Sequence, residues 1–152
     1  MSIKEFTIFG YGSHFKNKVI PALNKFKNIK IKNIVSENKN ISNSNIIKKL
    51  SKINSTEHVY ISTPIAIHES NLKESIKTKH VKIIICEKSI TNNHSKLLKI
   101  INKCKQNKIL LLESFMYKYH PQFLKIKKMI LNIYNPNINE IIFCRYTIPK
   151  IN

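Results

Sequence analysis

The residues most suggestive of chemistry are two glycines in one turn. Gly10 and Gly12, in Gly10-Tyr11-Gly12, are the only glycines among 152 residues, where average usage is about 7%. They fall between an apolar run, Glu5–Phe9, and a helical stripe of Phe15, Val19, Leu23 and Phe26. Such a turn offers backbone N–H groups and a helix dipole to an anion, for example a dinucleotide pyrophosphate. The first glycine permits a tight turn, and the second lets the backbone approach the phosphate. An ordinary strand-to-helix turn would carry the same signals, so both readings stand on this feature alone. Ser13 is available as the helix N-cap. Phe15 occupies the third fingerprint position, normally Gly or Ala, and its ring is expected to alter the helix–strand packing.

Other side chains narrow the chemistry. Ser36-Glu37-Asn38 close the second apolar segment, where an acid selects NAD by bonding the ribose 2′-OH. Glu37 therefore favours NAD, while Lys39 would instead meet the 2′-phosphate of NADP. Six histidines without a close cluster of acids argue against a metal site. Cys86, Cys104 and Cys144 are odd in number and widely spaced, with no CxxC pair. That excludes a disulfide scaffold and the common zinc motifs, and fits a reducing cytoplasm. Lys88 alone reads as one surface charge among many.

The elements that must position these residues alternate between strand and helix. Glu5–Phe9 predicts the first strand. Pro21 falls inside the first helical stripe and should kink it. Ile29, Ile31 and Val35 predict a second strand, and His58–Ser62 a third, closed by Thr63-Pro64. Between them, residues 38–55 are rich in Asn, Ser and Lys and hold at best one short helix, around Ile46–Leu50. Leu72 and Ile76 mark a helix, and Val81–Cys86 a strand apolar enough to be buried on both faces. Leu97, Ile101 and Cys104 mark the next helix, and Ile109–Leu112 another buried strand. A last stripe of Phe123, Ile126, Ile130 and Ile133 precedes the turn Asn135-Pro136-Asn137 and a final strand, Ile141–Tyr146. This alternation predicts an α/β fold with a doubly wound parallel sheet.

Charge excludes less than its size suggests. Lys and Arg total 27 against 8 acids, a net charge of +19. Arg145 is the only arginine and aspartate is absent. The lysines are spread evenly, with 10, 8 and 8 in successive thirds. Arginine is the side chain favoured for bidentate phosphate and guanine contacts. The balance therefore reads as composition rather than a specific nucleic-acid site, although a basic nucleic-acid binder remains an alternative. No apolar run reaches the ~18–20 residues of a bilayer span. The start, MSIKEFTIFG, lacks the features of a secretory signal. A soluble, cytoplasmic protein without a membrane partner is expected.

The succession GYGSHF, ISTPIAIHE, CEKS and ESFMYKYHPQF resembles the Gfo/Idh/MocA oxidoreductases, and the likeness covers nearly the whole chain. It implies an N-terminal NAD(P)-binding Rossmann domain, here 1–119. Residues 120–152 would be only the first helix and strand of a second α/β domain, the one that carries the substrate site in the family. Gly10, Gly12, Ser13 and His14 would line the pyrophosphate. Thr63 and Pro64, with His68 close by, would shape the loop under the cofactor. Glu87 matches the glutamate of the family's Glu-Lys-Pro motif and would accept from a ribose hydroxyl. Lys88 matches its lysine, near the nicotinamide and the reacting carbon, where it would polarise a carbonyl or stabilise alkoxide charge. Ser89 replaces the proline. Glu113, Tyr119 and His120 would lie near the nicotinamide end, with Lys88 and His120 as catalytic candidates.

The resemblance implies hydride transfer between NAD or NADP and a sugar, nucleotide sugar or related carbonyl. The family's acid/base and most of its substrate sheet lie beyond the matching residues, so this chain is expected to be a cofactor-binding part, incomplete alone. A truncated, non-catalytic relic or a cofactor-binding module is the alternative. The strand Ile141–Tyr146, apolar on both faces, is expected to be poorly ordered alone or to associate with another chain.

Overall fold

The computed structural model describes residues 2–36, 46–47 and 56–132. The chain divides into two compact units, Met1–Phe115 and Met116–Asn152.

The first unit is built on a six-stranded sheet. Its strands are β1 (Lys4–Phe9), β2 (Ile29–Val35), β3 (Ile46–Ile47), β4 (His58–Ile61), β5 (Ile83–Glu87) and β6 (Leu110–Ser114). They lie in the order β3-β2-β1-β4-β5-β6, and every neighbouring pair is parallel. The chain winds outward from β1 in one direction and from β4 in the other. β1 and β4 therefore flank the switch point, where the crevice of a doubly wound sheet opens at the carboxyl ends of its strands.

Residue alternation explains how both faces are covered. Phe9, Val35, Val59, Ile61, Ile84 and Cys86 point to one face, and there pack with Leu72 and Ile76 of α2 (His68–Lys77) and Ile100 and Cys104 of α3 (His94–Gln106). Ile8, Ile34 and Tyr60 point to the other face and pack around Phe15. Asn93 caps α3, its side chain accepting from the Lys96 amide at 2.9 Å. At the other end of α3, Lys108 takes the left-handed position at φ 55°. The Ile109 amide bonds the Cys104 carbonyl at 2.8 Å and the Lys108 amide the Lys105 carbonyl at 3.1 Å. This closing pattern usually employs glycine, and the chain makes it without one.

Several expectations are corrected. Ile46–Ile47, expected in a short helix, pair with Ile34 and Val35 as a parallel strand. Ser13 is not the helix cap: the Gly12 carbonyl accepts the first helical bond, from the Lys16 amide at 3.0 Å. The first helix does not run to Phe26, which is 55% exposed. It passes through a π turn, Phe15–Val19, then a short α1, Ile20–Leu23. Proline has no N–H and its ring crowds the carbonyl four residues back; the wider turn lies just before Pro21 and accompanies the wholly buried Phe15 ring. β6 is an edge strand among the described residues rather than a buried one, and Leu110 and Leu112 are 53% and 42% exposed.

The second unit contains a 3₁₀ turn, Met116–Tyr119, and α4 (Pro121–Asn132). Pro121 opens α4 where its missing N–H costs nothing. The expected turn at Asn135-Pro136-Asn137 and strand Ile141–Tyr146 lie outside the described residues. Among the described residues no helix is long and apolar enough to cross a membrane.

Candidate functional site

Because the strands are parallel, the segments following β1, β4 and β5 emerge on one edge of the sheet. The turn after β1 and the segment after β4 touch at Gly10. Its φ is +90°, and a Cβ there would lie 2.8 Å from both the Ser62 carbonyl oxygen and Thr63 Cγ2. Only glycine meets both demands without strain. Its amide bonds the Val35 carbonyl at 3.0 Å, and the Ser62 amide bonds the Phe9 carbonyl at 2.8 Å, so the ends of β1, β2 and β4 are tied together.

Gly12 differs. Among the described residues, a Cβ built on it meets nothing within 4 Å. Neither contact nor a positive φ calls for glycine at this position, and the space beside the backbone is open.

At the end of β5, Tyr60 donates its hydroxyl to Glu87 Oε1. His14 Nε2 lies 3.4 Å from the same oxygen, an ion pair when the ring is protonated. Burial, reinforced by the Glu87 carboxylate, pushes the Tyr60 phenol far above the usual tyrosine range. Tyr60 is thus a neutral donor to a carboxylate whose side chain is only 13% exposed. Burial and the charges of Glu87 and Glu113 push the Cys86 thiol up to about 12, which removes it as a nucleophile at neutral pH.

Lys88 follows at an exposed position, and its peptide bond to Ser89 is cis. Among the described residues its amine has no hydrogen bond or ion pair. Thr63 accepts from Asn71 Nδ2 at 2.9 Å, while Pro64 is exposed beside it. His68 and Glu113 turn towards backbone: His68 faces the Ser89 and Thr63 carbonyls, and Glu113 accepts from the Ile90 amide.

The first unit thus gathers Gly10, Gly12, Ser13, His14, Thr63, Pro64, His68, Glu87, Lys88 and Glu113 on segments at the strand ends. Glu37 lies outside the described residues. His120 belongs to the second unit, where its Nδ1 accepts from the Gln122 amide at 3.3 Å and its carbonyl from the Leu124 amide at 3.0 Å. Those contacts cap α4. Tyr60 and Asn71 escaped the sequence reading. Tyr60 sits in an apolar strand and reads as core, and only a polar tip on a buried ring hints at a partner.

No protein-family model matches the chain. A curated relative, the scyllo-inositol 2-dehydrogenase (NADP(+)) IolU of Bacillus subtilis, is 27% identical over 89 residues, covering 59% of this chain and 26% of IolU. Among solved structures, yvaA of Bacillus subtilis matches with TM-score 0.74 and 20% identity, over 86% of this chain and 40% of its own. KijD10, a 3-ketoreductase from Actinomadura kijaniata solved with NADP and TDP-benzene, matches with TM-score 0.74 and 16% identity, over 86% of this chain and 43% of its own. Motifs, relative and fold together support the Gfo/Idh/MocA oxidoreductase family, with an N-terminal Rossmann domain.

The chain spans well under half the length of these Gfo/Idh/MocA-type proteins. What it shares with the solved neighbours at such low identity is the fold. The glycine turn, Glu87 and Lys88 stand at strand ends of this chain's sheet.

Proposed function

We propose that this chain binds a nicotinamide dinucleotide, as the cofactor-binding part of an oxidoreductase acting on a sugar, cyclitol or related carbonyl. The observation that carries the reading is Gly12. The fold leaves its Cβ position open, so a glycine there is explained by something outside the protein that approaches the backbone. A pyrophosphate at the switch point is such a group.

The other residues fit this reading. Ser13 and His14 would contact the phosphates. Thr63 and Pro64 would line the floor of the crevice. Glu87 has one oxygen committed to Tyr60 and His14 and would offer the other to a ribose hydroxyl. When bound, the nicotinamide supplies the hydride acceptor or donor. Lys88 would hold the substrate oxygen and stabilise negative charge on it as the carbon exchanges hydride. The proton that leaves or joins this oxygen needs a further acid/base. On this reading Met1–Tyr119 is the cofactor domain and 120–152 the start of the substrate domain.

NADP(H) is the first cofactor to test, since NADP stands in the names of IolU and of the KijD10 complexes. Glu37 speaks for NAD. Titration calorimetry of the chain with NAD+, NADH, NADP+ and NADPH decides. Saturable binding of at least one form is expected, and absence of heat and of competition with all four would refute the proposal.

A further inference from the structure

Lys88 reaches for substrate in the reading above, yet among the described residues nothing holds its side chain, and Ser89 stands where the related motif has proline. The backbone beside it is held instead. Ser89 O and Ile90 N–H belong to one peptide unit, and both are taken by side chains from other elements. His68, the first residue of α2 and only 1% exposed, approaches Ser89 O through Nδ1 at 2.8 Å. Glu113, near the end of β6, accepts from Ile90 N through Oε1 at 3.1 Å. The remaining nitrogen of His68, Nε2, lies 2.7 Å from Thr63 O, so the same ring also reaches the segment after β4. Carbonyl oxygens only accept, so a neutral ring with one N–H bonds one of them, and a ring protonated on both nitrogens bonds both.

We infer that His68 and Glu113 are positioning residues for Lys88, together orienting the Ser89–Ile90 peptide, and not direct cofactor contacts. With a hydrogen on His68 Nδ1, the peptide plane is gripped at its oxygen and at its nitrogen and cannot rotate without breaking a hydrogen bond. Ser89 Cα lies in that plane and is held with it, and Lys88 joins this fixed point through the one peptide bond before it. The inference rests on the proposed function only for what Lys88 is aimed at; the grip itself does not depend on it.

Competitive acylation of the whole chain, read by mass spectrometry as the Lys88 rate relative to Lys103 on α3, tests the grip without cofactor. NADPH affinity and the emission of its bound nicotinamide ring are measured on the same samples. Glu113→Ala should change relative Lys88 labelling about fivefold, the scale of one net hydrogen bond. It should also alter the bound nicotinamide emission while leaving affinity within about threefold. Glu113→Gln keeps an accepting oxygen and should restore wild-type behaviour. His68→Asn, if folded, should reproduce the alanine phenotype; the Glu113 pair stands without it. Lys88 labelling unchanged in Glu113→Ala, equal changes at all lysines, no rescue by Glu113→Gln, or unaltered emission of bound NADPH would overturn the inference. Should the wild type bind no NADPH, the functional reading falls and relative Lys88 labelling alone decides the grip.

Discussion

The two ends of the sheet use polar residues in opposite ways. In the amino-terminal half, Thr7 and Thr56 share a buried hydroxyl–hydroxyl bond of 2.6 Å, and His58 Nδ1 lies 3.2 Å from the Glu5 carbonyl. Lys32 pairs with Glu5 and Lys82 with Glu57, both at 2.6 Å. These groups satisfy one another, and the exposed pairs add little stability. At the carboxyl end, among the described residues, the Lys88 amine is unpaired and the space beside Gly12 is open. His14 is half exposed beside a carboxylate. The open end is where the proposed cofactor surface would lie.

The largest effect that would sharpen this contrast lies directly beneath the open end. Phe15→Ala removes a wholly buried ring and should cost about 3–5 kcal/mol in chemical denaturation. A smaller loss would mean the π turn collapses onto the space. Next come the two glycines. Gly10→Ala puts a methyl 2.8 Å from backbone at φ +90° and should cost about 2–4 kcal/mol. Gly12→Ala, at the cap position, should cost about 1 kcal/mol or less. Equal costs would erase the distinction on which the site rests. The threonine pair falls between the two glycines. Thr7→Val or Thr56→Val leaves one buried hydroxyl without its partner and should cost about 1–3 kcal/mol, while the double substitution is nearly neutral. Cofactor affinity should not respond to either single change, because the pair sits away from the open edge.

Much of the fold was legible because buried strands and amphipathic helices write their period into the sequence. β1, β2, β4 and β5 lie within a residue or two of expectation. The parallel order followed from their alternation with helices. Two residues at the rim were misread for a local reason: Ile46–Ile47 take a strand because Ile34 and Val35 offer an unpaired edge, a tertiary effect that overrides a weak helical pattern. β6 looked buried because hydropathy does not reveal which strand ends a sheet. At the site, the glycine turn was visible from composition alone. The partners of Glu87, Ser89 and Ile90 were not, because Tyr60, His68 and Glu113 are brought together by the sheet across 21 to 27 residues. Lys108 adds a lesson about glycine. The chain tolerates a left-handed lysine at a helix end, a conformation costing about 1–2 kcal/mol, yet has glycine at position 12, where its own structure does not require it.

The most direct test is therefore NADPH affinity of Gly12→Val against wild type, in a chain whose unfolding midpoint is measured in parallel. The added side chain starts into open space, so folding should be retained with a cost of about 1 kcal/mol. The account predicts binding by the wild type and a loss of at least about tenfold in the variant, because the branched side chain fills the place a phosphate would take. Undiminished NADPH binding by a folded Gly12→Val chain would contradict it.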